Sequence, residues 1–428
     1  MQTLLTSAET QRFTTLIAQA SSPQQAVELV EKLMELAVAR GASDVHIEPF
    51  ETDAVVRFRI DGILHDAVSM PRTVYDRVLA RIKVLANLKI DEHRAPQDGR
   101  IGGRFGDRVV DFRVAVLPLM FGEKIVLRVL PRDLKAGALK DLGFGERAAA
   151  AIDQHVRRPY GMILVCGPTG SGKSTTLYTL IQRLIDERGL AVNISTIEDP
   201  VEYAVGRVNQ AQVGLGTGMS FETALRGLLR QDADVIMVGE IRDRETAKAA
   251  IEASLTGRLL LSSLHTRDAV GALIRLLEIG IEPYLVSSSV SLIVAQRLVR
   301  VVCTGCVESY ILDGAAFEDL KERFNLNRVL ADIERAAPSL APIPSPPRLF
   351  RGKGCSACMQ TGYRGRTAVF EVLEVSDVLR TLIGARAATA AFREQALKEG
   401  MATMLEEGFY KALSGVTTLE EVLKATLE

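Results

Sequence analysis

Ala26, Val27, Val30, Leu33, Met34 and Ala37 recur at helical spacing, and Gly41 follows them, which predicts a helix that stops there. Ahead of it, residues 1–22 are polar and weakly patterned, a loose lead-in or a short helix. Alternating runs then predict strands over Val55–Ile60 and Ile63–Val68, with Asp61-Gly62 between them as a tight-turn signal. A helical run at Val74–Asn87 precedes three more strand-like runs, Arg100–Arg104, Arg108–Val116 and Lys124–Leu130. Helix, hairpin, helix and strands describe a small α+β domain over residues 1–130. Pro131, Gly137 and Gly143 mark the following segment, 131–143, as a linker.

Beyond the linker the pattern changes. Short apolar runs at Met162–Cys166, Val192–Ile197, Val235–Val238 and Leu259–Ser263 alternate with helical stretches. Strands that are apolar throughout, rather than alternating, predict a parallel sheet covered on both faces and hence an α/β domain, 144–302. Residues 303–365 hold four of the five cysteines and a Pro-rich loop, Ala337–Pro347; residues 366–428 read as a helical C-terminal part.

Composition narrows the classes. With 47% hydrophobic and 25% charged residues the chain can bury large cores, and a net charge of −1 gives no reason to expect a nucleic-acid partner. The most apolar stretch, Leu285–Val302, is broken by serines, Gln296, Arg297 and Arg300, which argues against a membrane span. Met1–Thr10 has no Lys or Arg and does not read as a secretory signal, so a cytoplasmic location is expected, with any membrane association made through a partner.

Gly167-Pro168-Thr169-Gly170-Ser171-Gly172-Lys173-Ser174 fits the phosphate-binding pattern G-x-x-x-x-G-K-S, and it lies between an apolar strand and the helical run Thr175–Arg183. Glycines there let successive backbone N–H groups face phosphate oxygens, and the helix N-terminus adds partial positive charge. Lys173 is expected at the β- and γ-phosphates, and Ser174 on Mg2+. Val235–Val238 followed by Gly239-Glu240 is an apolar strand ending in an acid, a pattern many buried strands share but one that also suits a carboxylate beside Mg2+ and a water. Glu198-Asp199-Pro200-Val201-Glu202 and Leu264-His265-Thr266 fall at strand ends, where open α/β sheets bind ligands. Cys303-x-x-Cys306 and Cys355-x-x-Cys358 suit a tetrahedral zinc site, and redox-active or simply reduced pairs are the alternatives. Cys166 is expected to be core packing.

The set Gly167–Ser174, Ile197–Glu202, Gly239–Asp243 and Leu264–Thr266 resembles the Walker A, Asp box, Walker B and His box of the type II secretion and type IV pilus assembly ATPases, the GspE/PulE/PilB family of P-loop NTPases. Ala42–Pro49, Pro96–Arg100 and Gly122–Lys124 resemble that family's N-terminal domain, and Ala295–Arg300 and Thr361–Arg366 its C-terminal segments. The resemblance implies a RecA-like motor domain behind a PAS-like domain, assembled as a homo-hexamer that hydrolyses ATP with Mg2+. ATP would lie on Gly167, Pro168, Thr169, Gly170, Ser171, Gly172, Lys173, Ser174 and Thr175. Glu240 would be the catalytic glutamate, Glu198 would order Mg2+ or water, and His265 would sense the γ-phosphate. Arg113 and Arg128 match the arginines that close over the nucleotide. Family members carry a tetracysteine element where Cys303, Cys306, Cys355 and Cys358 stand, which favours zinc, and retraction-type pilus motors generally lack it. The implied work is pseudopilus assembly and protein export in type II secretion, through an inner-membrane platform protein and a cytoplasmic-facing component. Assembly of a type IV or DNA-uptake pilus is the alternative, and a nucleotide-gated scaffold without turnover a third. The sequence departs from the family pattern at Arg258, Arg267 and Ala115, where His, Asn and Ser are usual, and it begins near the PAS-like domain, without the further N-terminal domain of many members.

Overall fold

The computed structural model describes residues 7–20, 22–131, 137–214, 218–324, 326–336 and 341–427. The chain divides into two compact units, residues 1–135 and 136–428.

The first unit opens with helix α1 (Ser7–Gln19) and helix α2 (Pro23–Ala39). Ser22 and Gln25 form a reciprocal capping box at the start of α2, and Gly41, at φ 66°, takes the chain away from its end. Strands β1 (Asp44–Pro49), β2 (Asp53–Ile60) and β3 (Ile63–Pro71), helix α3 (Arg72–Leu85), and strands β4 (Gln97–Phe105), β5 (Arg108–Leu119) and β6 (Gly122–Pro131) follow. The six strands form an antiparallel sheet in the order β3-β2-β1-β6-β5-β4. Asp61 and Gly62 both have positive φ, 48° and 87°, the conformation a two-residue hairpin with strand-matching twist demands. Alternation works as expected in β2, where every second residue from Ala54 to Ile60 is buried. Strand β1 was not predicted, because half of its residues, Asp44, His46 and Glu48, are polar. Arg59 and Arg128 cover Asp44, and Arg57 and Lys124 cover Glu48, by ion pairing, so that all of the strand but His46 is buried.

The second unit begins with helix α4 (Glu146–Val156), strand β7 (Gly161–Cys166), helix α5 (Lys173–Arg188), strands β8 (Ile194–Glu198) and β9 (Asn209–Gln212), and helix α6 (Phe221–Leu228). Then come β10 (Val235–Val238), α7 (Arg244–Leu255), β11 (Leu259–Leu264), α8 (Ala269–Glu278), α9 (Pro283–Ser289) and β12 (Val290–Val302). A small ribbon, β13 (Val307–Ile311) with β14 (Arg348–Gly352), flanks helices α10 (Gly314–Phe324) and α11 (Leu326–Ala336). The chain finishes with β15 (Tyr363–Glu374) and helices α12 (Asp377–Gly384), α13 (Thr389–Lys398), α14 (Met404–Leu413) and α15 (Leu419–Leu427).

The main sheet runs β15-β12-β7-β11-β10-β8-β9, with every neighbouring pair parallel except β12 and β15. Successive side chains of β7 point to opposite faces. Met162, Leu164 and Cys166 enter one core with α6, α7 and α8, while Ile163 and Val165 enter another with α4 and α5. This is the doubly covered parallel sheet the apolar runs predict.

Two elements differ from expectation. The apolar stretch Leu285–Val302 divides into the end of α9 and the thirteen-residue strand β12. No helix among the described residues is long and apolar enough to cross a membrane. The helical C-terminal part begins later than residue 366, because β15 continues to Glu374, paired along β12. Of the Pro-rich stretch, 341–347 connects α11 to β14 without regular structure, and 337–340 lie outside the described residues, as do 132–136 of the linker.

Lys411 pins α14 to this framework. Its buried ammonium donates to Gly143 O at 2.8 Å and to Ala368 O, pairs with Glu407 at 3.1 Å, and lies 4.7 Å from the Phe370 ring centre. Lys411→Met leaves a buried carboxylate and two carbonyls without their cation. Its unfolding free energy should fall by about 3–5 kcal/mol, read as a lower urea midpoint at unchanged slope.

Candidate nucleotide site and cysteine cluster

Because β7, β8, β10, β11 and β12 all run parallel, their carboxyl ends share one edge of the sheet. The loop after β7 is Gly167–Gly172, and it leads directly into α5 at Lys173. Gly170 and Gly172 take positive φ, 80° and 89°. A Cβ on Gly167 would lie 2.5 Å from Gln296 O and collide with Ser171 Oγ, so no side chain fits there. Lys173 Nζ folds back onto the loop, donating to Gly167 O at 2.9 Å and Pro168 O at 3.0 Å. Burial pulls its pKa down, and Glu240 opposes that fall. Ser171 Oγ is buried with no partner in the protein, a polar atom turned into a glycine-lined loop at a helix N-terminus. These features fit an anion such as a phosphate chain. Ser174 and Thr175 are exposed in the first turn of α5.

Glu240 follows β10 and is 17% exposed. Its two oxygens are held separately: Arg242 pairs with Oε1, and His265 Nε2 lies 3.2 Å from Oε2. Arg242 also lies 3.6 Å from Asp199, and its pKa is raised by the bond to Glu240. The sheet thus brings Lys173, Glu240 and His265 to one edge. Backbone bonds hold the strand ends in step, from Gly239 N to Ile197 O at 2.8 Å, Ile241 N to Ser263 O at 2.9 Å and Gly167 N to Leu264 O at 3.2 Å.

Glu198 is placed differently from the expected role beside Mg2+ or water. It is only 4% exposed, and its oxygens accept from Thr196 Oγ1 at 2.5 Å, Gln210 Nε2 at 3.1 Å and the Tyr178 hydroxyl. The exposed carboxylate at that strand end is its neighbour Asp199.

In the first unit, Arg113 and Arg128 are directly opposite each other on β5 and β6. Register extends the row to Arg59, Asp44, Arg128, Arg113 and Arg100 across five strands. Asp44 bonds Arg128 Nε at 3.1 Å and lies 3.6 Å from Arg59 Nε.

The four paired cysteines meet between β12 and β13 on one side and β14 and β15 on the other. All four Sγ atoms lie within 4.8 Å of one another. Cys303–Cys355 and Cys306–Cys358 are 3.8 Å apart and Cys355–Cys358 3.7 Å. A disulfide needs about 2.0 Å, whereas four thiolates at about 2.3 Å from one Zn2+ define a tetrahedron with edges of about 3.8 Å. Burial opposes ionisation of Cys358, but N–H donors from Cys355 and Gly362 and bonds with the Cys355 and Cys306 thiols bring it down to about 7. Cys166 is fully buried on β7, and burial pushes its thiol up to about 12.

Gln296, Arg242 and Tyr178 were not assigned roles from sequence. Gln296 is 1% exposed in the middle of β12, one residue past the last pairing of that strand with β7. Its Nε2 donates to Ser171 O at 2.7 Å and its Oε1 accepts from Thr176 Oγ1 at 2.9 Å, bracing the loop from the neighbouring strand. Only recognition of β12 as a strand beside β7 could have revealed it. Gln296→Ala removes both bonds. Amides of Gly167–Lys173 should then exchange faster, with a stability loss of about 1–3 kcal/mol, while exchange in the first unit stays unchanged.

The family model for type II/IV secretion system proteins matches residues 19–424. Type II secretion system protein E of Pseudomonas aeruginosa is 45% identical over 402 residues, covering 94% of this chain and 76% of that protein. The type IV pilus assembly ATPase PilB of Myxococcus xanthus is 41% identical over 418 residues, covering 96% of this chain and 69% of its own. Among solved structures, the pilus retraction motor PilT with bound ADP aligns at a TM-score of 0.63 and 26% identity, covering 93% of this chain and 97% of that one. With the strand-edge loop, its lysine and the acid of β10 in one place, and a family match along nearly the whole length, the chain belongs to the type II/IV secretion system protein family.

Proposed function

We propose that this chain is the ATP-hydrolysing motor of a type II secretion system, working as a homo-hexamer to drive pseudopilus assembly and protein export. The observation that carries this reading is the meeting of Lys173, Glu240 and His265 at the carboxyl edge of the parallel sheet. Type IV pilus assembly is the second reading, favoured by the likeness to PilB.

In this reading the phosphates of ATP rest on the amides of Gly167–Lys173, and Lys173 leaves its carbonyl partners to neutralise the β- and γ-oxygens. Ser174 holds Mg2+, which would screen the phosphate charge. Glu240 orients the attacking water and takes up its proton, and His265, touching the same carboxylate, relates that group to the state of the γ-phosphate. Arg113 and Arg128 supply positive charge for the transferred phosphoryl group, and their place in a row rich in arginine supports that role. The antiparallel sheet of the first unit is read as the PAS-like domain and the second unit as the RecA-like motor. Cys303, Cys306, Cys355 and Cys358 hold a structural zinc within the element 303–365, since four protein ligands leave no open position. The partners are an inner-membrane platform protein and a cytoplasmic-facing component. They hold the motor peripherally at the inner membrane, and no specific nucleic acid is involved.

Glu240→Gln keeps the shape of the side chain and removes the base. It should bind ATP and hydrolyse it at least roughly a hundredfold more slowly; normal turnover would remove Glu240 from the mechanism. The ATP-trapped variant, recovered from native membranes, should carry a secretion platform protein. Recovery of a pilus platform and pilins instead would select the second reading. Cys355→Ser with Cys358→Ser should abolish stoichiometric zinc, measured by elemental analysis, and open residues 303–365 to proteolysis. Unchanged metal content would refute the ligand set.

A further inference from the structure

Glu198 belongs to a closed polar network between α5 and β8. The Tyr178 hydroxyl on α5 donates to Oε2, and Thr196 Oγ1 and Gln210 Nε2 donate to Oε1. Gln210 is itself fixed, its Nε2 also reaching Tyr203 O at 3.1 Å and its Oε1 accepting from Val205 N at 2.7 Å. The Tyr203 ring packs on Tyr178 with centroids 4.4 Å apart. Glu198 O receives Val213 N at 2.9 Å. A carboxylate with both oxygens engaged and almost no exposed surface is suited to holding structure rather than to receiving a metal-bound water.

What it holds is specific. Tyr178 lies in the helix that starts at Lys173, and Glu198 ends the strand against which β10 ends. A Cβ on Gly239 would lie 3.2 Å from Ile197 O and 3.5 Å from Glu198 Cα, so the two strand ends touch backbone to backbone immediately before Glu240. The next residue, Asp199, faces Arg242, which grips Glu240. The Tyr178 hydroxyl, which donates to Glu198 and is also bonded by the Glu202 backbone, therefore ties the helix carrying the phosphate lysine to the strand end that sets the acid.

We infer that Tyr178 is a positioning residue, and that its bond to Glu198 fixes the spacing between Lys173 and Glu240, with Glu198 acting through the bond rather than on Mg2+ or water. This rests on the ATPase reading above. It predicts that Glu198 and Tyr178 work as one unit, and that losing either misplaces the acid without weakening nucleotide binding.

The test compares the full chain with Tyr178→Phe, Glu198→Gln and the double variant, with Lys173→Ala as the inactive reference. Tyr178→Phe keeps the ring against Tyr203 and removes only the hydroxyl. Each single variant should lose roughly tenfold to a hundredfold in kcat, with KM for ATP and the Mg2+ concentration for half-activity within about twofold of the parent. The double variant should be no slower than the slower single. Amides of Asp199 and Val201, neither of which bonds the Tyr178 hydroxyl, should exchange faster by the same factor in both singles. Full kcat in Tyr178→Phe, additive losses, or a Mg2+ requirement shifted in Glu198→Gln alone would each overturn the inference. A parent as slow as Lys173→Ala would instead strike the ATPase reading, and equal or unequal exchange at Asp199 and Val201 would still decide whether the two residues act together.

Discussion

Parallel pairing of β8, β10, β11, β7 and β12 is the constraint on which the second unit depends. A parallel ladder sends every strand's carboxyl end to the same edge, and each return path must then cross the sheet as a helix. The phosphate loop, Glu240, His265 and Gln296 come from four different strands, yet none needs a long side chain to reach the others. The cost is that β7, β10 and β11 are buried on both faces. They can carry almost no polar residue until they end, so chemistry begins where each strand stops.

That edge gathers charge. Lys173, Arg242 and His265 all lie near Glu240, and partial burial makes Lys173 easier to deprotonate while Glu240 opposes this. An acid shared by Arg242 and His265 has its rotamer set before any substrate arrives. Preorganised charge of this kind avoids reorganisation at the moment of reaction. The buried network at Glu198 extends the same principle one layer inward, where hydrogen bonds replace contact with solvent.

How much of this was legible in sequence depends on the distance over which each feature is determined. The loop Gly167–Lys173 and the turn Asp61-Gly62 are local: their backbone conformations are demanded by the glycines themselves, and the structure reproduces both. The apolar runs of β7, β10 and β11 announced a covered parallel sheet. Strand β1 was hidden because His46 is polar and because Asp44 and Glu48 are buried only through cations from β2 and β6. Strand β12 was hidden because Leu285–Val302 mixes apolar residues with serines, Gln296, Arg297 and Arg300 in no clear two-residue alternation, so periodicity alone could not place a strand from Val290. The environment of Glu198 needed residues from α5, β8 and β9 together, and no single window of sequence contains them.

The arginine row in the first unit shows the same logic from the opposite side. Like charges directly opposite on neighbouring strands destabilise a sheet by a few tenths of a kcal/mol to about 1 kcal/mol each. Arg128 faces Arg113, and Arg113 faces Arg100, with Asp44 bonded at one end of the row. A sheet selected for stability alone would alternate signs along such a row or use threonines. The unit tolerates the repulsion because its other face is continuous and apolar, with Val45, Ile47, Val56, Phe58, Val110, Phe112, Val114, Ile125 and Leu127 all buried. The buried face supplies the stability that this row of like charges does not.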